Sequence, residues 1–263
     1  MKSICASVAL AVIACGQSSR ISLTPGRTHD PAIIHERHGK NVTSGNWSGY
    51  AVTGTKGSVS DVKASWVVPA IQGTCPASDQ FSSFWVGIDG YSSNTVEQIG
   101  TDSDCQGGQP VYYAWFEFYP HPSFTINNFS IQPGNVISAE VSSSGKSGTF
   151  TVTLKNVTTG QSFSTSTKIP SAAQSSAEWI AEAPYSGGIL PLADFGTVQF
   201  GQNYTAVAGT NFATVGGSTH ALGSFGSNVS ITMDTKDGTI KAQPSGLTND
   251  NTSFTISWLS AGP

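Results

Sequence analysis

Residues 176–184 read S-A-E-W-I-A-E-A-P, and no other stretch restricts the fold so tightly. In an extended strand, successive side chains point to opposite faces. Ala177, Trp179, Ala181 and Ala183 then share one face and suit a core, while Glu178, Ile180 and Glu182 share the other. Two carboxylates on an otherwise apolar face make ionisation costly, so a strand of this kind implies a use for them.

The same alternation recurs at residues 62–68, 84–88, 111–119, 136–141, 149–154, 162–167, 197–200, 229–233 and 254–258. Turn signals such as Asp89-Gly90, Pro133-Gly134, Thr159-Gly160 and Asp237-Gly238 separate these runs, and residues 154–161 read as a hairpin. Only 11% of the residues are charged, and long helix-period patterns are missing. No fixed-period repeat or domain linker follows residue 45. The expectation is one all-β domain over residues 45–263, an antiparallel β-sandwich or barrel.

Three further strands are informative by face. Tyr112, Ala114, Phe116 and Phe118 suit a core, opposite Val111, Tyr113, Trp115, Glu117 and Tyr119. Val96, Gln98, Gly100 and Asp102 share a face, as do Trp85, Gly87, Asp89 and Tyr91. Laid side by side, these aromatic and acidic faces would line a groove for an extended peptide or glycan. Ordinary alternation with a solvated face is the other way to read any one of them.

The amino-terminal end differs from the body. Residues 1–16 carry Lys2, an apolar run from Ile4 to Ala14 and then small residues, which outlines a secretory signal peptide taken to residue 19. The run is too short to span a membrane. Val12-Ile13-Ala14-Cys15 also matches a lipoprotein cleavage box, so a lipid anchor at Cys15 is the alternative to free secretion. Cys75 and Cys105 remain as an even pair in an exported chain and are expected to form a disulfide.

Residues 20–44 hold Arg20, Arg27, Arg37, Lys40, His29, His35 and His38 against only Asp30 and Glu36. From residue 45 there is no arginine, and seven lysines stand against fourteen acidic residues, a formal charge of −7. A basic leader before an acidic body reads as a short propeptide held by electrostatics and loosened by acid, or as a linker. As a propeptide it predicts a new amino terminus shortly before Asn46. A body with few charges has few ion pairs to lose at low pH, which fits acid service.

Several chemistries are poorly supplied. The body has only His121 and His220, no G-x-S-x-G and no D-[ST]-G element, and H-E-R-H at 35–38 is one residue short of a zinc signature. No metal or cofactor is expected. The absence of arginine and of any basic patch in the body argues against nucleic acid. Glu117, Glu178, Glu182, Asp89, Asp102 and Gln98 remain. Paired carboxyls about 5–10 Å apart could hydrolyse a glycoside, but Glu178 and Glu182 lie about 13 Å apart along a regular strand. A carboxylate base on water with an amide donor for the oxyanion could instead hydrolyse a peptide.

Six blocks in order decide the reading: N-W-S-G at 46–49, W-V-G-I-D-G at 85–90, Q-I-G-T-D at 98–102, A-W-F-E-F-Y-P at 114–120, N-V-T-T-G-Q at 156–161 and A-E-W-I-A-E at 177–182. Together they resemble the eqolisin family of acid glutamic endopeptidases. Ala183-Pro184 follow where fungal members carry an acidic and an aromatic residue, which sets the chain with a bacterial-type branch. The resemblance implies a lectin-like, jelly-roll-like sandwich of two antiparallel sheets. It implies Glu182 as general base and acid, Gln98 as oxyanion donor, and Trp85, Asp89, Glu117 and Tyr119 near the cleft. Trp115 and Asp102, on the same faces, join the expected substrate contacts. The chain is then a monomeric, secreted endopeptidase acting on proteins or peptides, with its own propeptide as inhibitor. A jelly-roll glycanase using Glu178 and Glu182, and a non-catalytic carbohydrate-binding sandwich, are the alternatives.

Overall fold

The strand at Ser176–Glu182 is buried along its whole length and pairs antiparallel on both sides, with Trp47–Thr53 and with Ser83–Ile88. It is therefore central, and both of its faces have to be covered by protein. The computed structural model describes residues 22–144 and 148–262. The signal-peptide and lipobox readings, with Cys5, Cys15 and Arg20, lie outside the described residues.

In chain order the strands are β1 (Ser22–Pro25), β2 (Ile34–His38), β3 (Asn41–Ser44), β4 (Trp47–Thr53), β5 (Val59–Val67), β6 (Ser83–Ile88) and β7 (Val96–Gln106). There follow β8 (Gln109–Tyr119), β9 (Phe124–Asn127), β10 (Val136–Ser143), β11 (Thr149–Asn156), β12 (Ser162–Lys168) and β13 (Ser176–Glu182). The last are β14 (Thr197–Phe200), β15 (Phe212–Val215), β16 (Ser218–Ala221), β17 (Asn228–Asp234), β18 (Ile240–Pro244) and β19 (Phe254–Trp258). One helical turn, Gln202–Thr205, follows β14. The hairpin expected at 154–161 is the β11–β12 turn, where Asn156 Oδ1 accepts from the Thr159 amide at 3.2 Å.

The pairings make two layers. One runs β1–β9–β8–β7–β6–β13–β4–β17, and β3 and β2 continue it beyond β17. The other runs β12–β11–β10–β5–β14–β19–β18, with the β15–β16 hairpin on β5. β17 also pairs with β18, which joins the layers along one edge. Apart from the parallel β3–β17 pair, these ladders are antiparallel. Between the layers Trp179, Val86, Ile99 and Phe116 pack with Val62, Trp66, Val141 and Val152. A buried indole N–H needs an acceptor. Trp179 donates to the Lys63 carbonyl at 2.9 Å and Trp66 to Thr101 Oγ1 at 2.9 Å, so both bonds pin one layer to the other.

The outward face of the first layer is set by register. Glu178, Gly87, Gln98 and Glu117 lie in one row across β13, β6, β7 and β8. Ile180, Trp85, Gly100 and Trp115 form the next row, and Glu182, Ser83, Asp102 and Tyr113 the one after. A second apolar cluster of Trp47, Trp85, Tyr91, Val96, Trp115 and Ile180 fills this face, and Ala32 and Ile34 pack on it. The leader thus covers the sheet. Its strands β2 and β3 extend the layer itself, and Val42 of β3 is buried. Cys75 and Cys105 form a disulfide, with Cα atoms 5.4 Å apart, that ties the loop after β5 to the end of β7.

Gly100 is what lets the two indoles close over the middle row. A Cβ there would lie 2.5 Å from the Phe84 carbonyl oxygen, 2.6 Å from Trp85 Cβ and 3.1 Å from Trp115 Cζ2. Backbone cannot step aside as a flexible side chain can. Gly100→Ala is expected to lower stability by about 1–3 kcal/mol, read as a lower urea midpoint at unchanged slope. Gly246→Ala, where an added Cβ meets nothing within 4 Å, is the control and should leave the midpoint in place.

Candidate active site

The rows bring Gln98 and Glu117 side by side on β7 and β8. Gln98 Nε2 donates to Glu117 Oε2 at 3.1 Å and to the main-chain carbonyl of His29 at 2.8 Å. The His29 amide in turn donates to Glu117 Oε2 at 2.9 Å. On the other side of the same residue, the His29 ring Nδ1 lies 3.6 Å from Glu182 Oε2. That oxygen also accepts from Trp85 Nε1 at 2.8 Å. The His29 ring lies flat on Trp115, with centroids 3.5 Å apart and planes 1° from parallel. One leader residue therefore touches Gln98, Glu117, Glu182 and Trp115.

Tyr113 and the acids before it form a second part of the site. Tyr113 donates to Asp102 Oδ2 at 2.7 Å, and its hydroxyl lies 3.0 Å from Asp104 Oδ2. Arg27 donates to Asp104 at 3.0 Å and to the Tyr113 hydroxyl at 2.8 Å, stands 3.7 Å from Asp102, and lies over the Phe81 ring. Asp104 is further held by the Ser82 amide and by Gln106 Nε2.

The other expected contacts are distributed as follows. Trp85, Trp115, Glu117 and Asp102 all line this face. Tyr119 packs at the margin of the same apolar cluster. Asp89 is elsewhere: in a left-handed conformation (φ 73°), it accepts from the amides of Gln174 and Ser175 and fixes the loop before β13. Glu178 feels the charges of Asp89 and Glu97, and the Ile180–Trp85 row separates it from Glu182. His29, Asp104 and Tyr113 were not among the expected site residues. Asp104 continues the period-2 face of Gln98 and Asp102 and could have been found that way. His29 had no local signal beyond the basic character of the leader.

Burial dominates the electrostatics. It holds the carboxyls of Glu117, Glu178 and Glu182 well above the usual range. For Glu182 the Trp85 hydrogen bond works the other way, and nearby Glu117 adds to the rise. Glu97, which faces the core, is pushed up to about 9 by burial and by Asp89. Asp102 is pushed up to about 8 by burial and by Asp104. Burial also drives the His29 imidazole well below its ordinary value, so the ring is neutral against Glu182. Among the described residues no cluster of His, Cys, Asp or Glu fits a metal ion.

These shifts fix the sign of the pH dependence of stability. A carboxyl whose pKa is raised by folding binds its proton more tightly in the folded state. Its stabilisation is complete below the unfolded value of about 4 and is lost as pH rises through the folded one. The unfolding temperature should therefore fall as pH is raised from about 4 towards 8–9, the range bounded by Asp102 and Glu97. Calorimetry across that interval checks it, and Glu97→Gln should flatten the slope.

Residues 45–254 match the Peptidase A4 family. The chain is 32% identical to aspergillopepsin-2 of Aspergillus niger over 200 residues, 67% of this chain and 66% of that protein. It is 36% identical to scytalidopepsin B of Scytalidium lignicola over 123 residues, 46% of this chain and 44% of that protein. It thus spans just under two thirds of the first relative and under half of the second. Among solved structures, scytalido-glutamic peptidase with a transition state analog inhibitor superposes with a TM-score of 0.67 at 25% identity, covering 82% of this chain and 98% of that one. Aspergilloglutamic peptidase from Aspergillus niger superposes with a TM-score of 0.58 at 30% identity, covering 68% and 99%. The two-layer β architecture is shared with these eqolisin structures, and the chain belongs to the Peptidase A4 family.

Proposed function

We propose that the protein is a secreted acid endopeptidase in which Glu182 is the general base and acid and Gln98 the oxyanion donor. One observation carries the reading: a peptide carbonyl, that of His29, accepts a hydrogen bond from Gln98 Nε2 while Glu182 stands against the same residue. A substrate lying where His29 lies would present its scissile carbonyl to Gln98. Glu182 removes a proton from water, the resulting hydroxide adds to the carbonyl carbon, and the charge that develops on oxygen is met by the Gln98 amide. Glu182 then returns the proton to the leaving amine. Glu117 accepts from Gln98 and so orients that amide as a positioning residue. Trp85 holds Oε2 of Glu182, and Oε1 has no hydrogen-bond partner among the described residues, which suits it to receive the water's proton.

With the leader in place this machinery is occupied, so the leader acts as the inhibitor. Its response to acid turns on His29. Arg27 holds the leader through its hydrogen bonds to Asp104 and the Tyr113 hydroxyl, and because burial raises the carboxyls of Asp102 and Asp104, their protonation goes with the closed form. The His29 ring faces Glu182, with Glu117 at its backbone, and burial depresses its pKa. Protonation in acid therefore favours the ring in water over the ring in the site. Secretion is supported by the signal-like amino terminus and the disulfide. Among the described residues no helix is long and apolar enough to cross a membrane.

Nothing at Glu178 favours the glycanase reading, since its carboxyl belongs with Asp89 and Glu97. Digestion of an unfolded protein at acid pH tests the assignment. Gln98→Ala should lower kcat by about 10²–10³ and Glu182→Gln by about 10²–10⁴, whereas Glu178→Gln should keep most of the activity. Normal cutting by the Glu182→Gln variant overturns it.

A further inference from the structure

The leader enters the site in the manner of a substrate chain. The Gly26 amide donates to the Ser123 carbonyl at 2.9 Å, and Ser123 Oγ donates to the Arg27 carbonyl. Thr28 bridges antiparallel to Tyr185, whose amide donates to the Thr28 carbonyl at 3.2 Å. His29 then gives its amide to Glu117, its carbonyl to Gln98 and its ring to Trp115. Residues 26–29 are thus held by main-chain hydrogen bonds on both sides, with two side-chain seats: an acidic one for Arg27 and a flat indole for the His29 ring. This is extended-peptide recognition, in which backbone pairing gives affinity and alternate side chains give selectivity.

The chain changes character at the next peptide bond. Upstream, β1 is exposed at all four residues and, among the described residues, pairs with the short strand β9 alone. Downstream, residues 30–34 are built into the domain. The Asp30 carbonyl accepts from Asn46 Nδ2 at 3.3 Å and from Trp47 Nε1 at 3.1 Å, and the Pro31 carbonyl accepts from Asn46 Nδ2 at 3.2 Å. The amide of Ile33 donates to Asn46 Oδ1 at 2.8 Å, and that of Ala32 to the Gly90 carbonyl at 3.0 Å. β2 and β3 follow as strands of the catalytic layer. A cut just before Asn46 would strip a strand from β17 and leave Asn46, Trp47 and the Gly90 carbonyl without these partners. A cut after His29 frees the exposed side alone.

Resting on the Glu182/Gln98 assignment, we propose that the leader is the enzyme's own first substrate, cut between His29 and Asp30, and that the mature chain begins at Asp30 and retains residues 30–44. In that step a water oxygen bonds to the His29 carbonyl carbon and its proton passes to Glu182. The His29–Asp30 C–N bond breaks, and the proton goes to the Asp30 amine. The products are a leader peptide ending in a His29 carboxylate and a body whose new amine sits beside Asn46. The same seats name a substrate class: peptides with a basic residue two positions before a flat-ringed residue, cut on the carboxyl side of the ring.

The full chain, purified at neutral pH and then acidified, tests this by intact mass and amino-terminal sequencing, with an added unfolded protein digested in parallel. The expected result is a body starting at Asp30 and a peptide ending at His29. A full-length Glu182→Gln chain with an unchanged thermal transition should show no cut at that bond. His29→Gly, which removes the ring from Trp115, should slow the first cut at least tenfold. A chain made to begin at Asp30 should digest protein at once, and one made to begin at Gly45 should unfold at lower temperature. Digestion of the added protein with a new terminus near residue 45, or with the His29–Asp30 bond intact, overturns the inference and leaves the catalytic assignment standing. Cutting of the Glu182→Gln chain at His29–Asp30 also overturns it. Failure to digest the added protein is the separate result that removes the catalytic assignment.

Discussion

The site depends on keeping carboxyl groups buried on the face of a sheet. Glu182, Glu117, Asp102 and Asp104 all project from β13, β8 and β7 onto a face that Trp47, Trp85 and Trp115 make apolar. Carboxylates in such a setting are costly to ionise, and the fold meets that cost locally rather than with ion pairs throughout. Trp85 donates to Glu182, Gln98 and the His29 amide donate to Glu117, and Tyr113, Gln106 and Arg27 serve the Asp102–Asp104 pair. Most of these donors are neutral. The site therefore survives the acid that would dismantle a set of salt bridges.

The leader completes this face in two unlike ways. Residues 30–44 behave as body: Asn46 and Trp47 take their carbonyls and amides, and β3 buries Val42 against β17. Residues 22–29 behave as ligand, exposed at β1 and then threaded through main-chain pairs to Gln98, Glu117 and Glu182. The charge contrast between leader and body does not distinguish these halves, because Arg27 and Arg37 are both satisfied. Arg27 meets the buried acids, whereas Arg37 lies against the Tyr91 ring and donates to its hydroxyl. Main-chain hydrogen bonds mark the boundary more sharply than charge does.

Much of this was legible in the sequence. Period-2 alternation found the strands that carry the site, and it placed Glu182, Gln98, Trp85, Trp115, Glu117 and Asp102 on outward faces, as the register bears out. Alternation tells which face a residue takes but not which neighbour it meets. Asp89 shares the face pattern of Trp85, yet it ends its strand in a left-handed turn and turns to the loop before β13. Glu178 and Glu182 share a face, yet the Ile180 row with its two indoles separates them. His29 could not be found at all, because its role is set by a contact with residues far along the chain and by no local pattern.

Glu182 sits under two opposed influences, and how far water reaches it decides between them. Beneath the leader the carboxyl is fully buried, and burial lifts its pKa well above the usual carboxylate range. The Trp85 N–H bonded to Oε2 works the other way and favours the ionised form. On the proposed Glu182/Gln98 assignment, cutting the leader needs the base to ionise while the His29 carbonyl is still held by Gln98. Water entering beside His29 supplies both the nucleophile and part of the lost solvation, so the balance moves towards the ionised carboxylate. Neither His29 nor the sheet has to move for that exchange to begin, because the carbonyl and the carboxyl already stand on the same face.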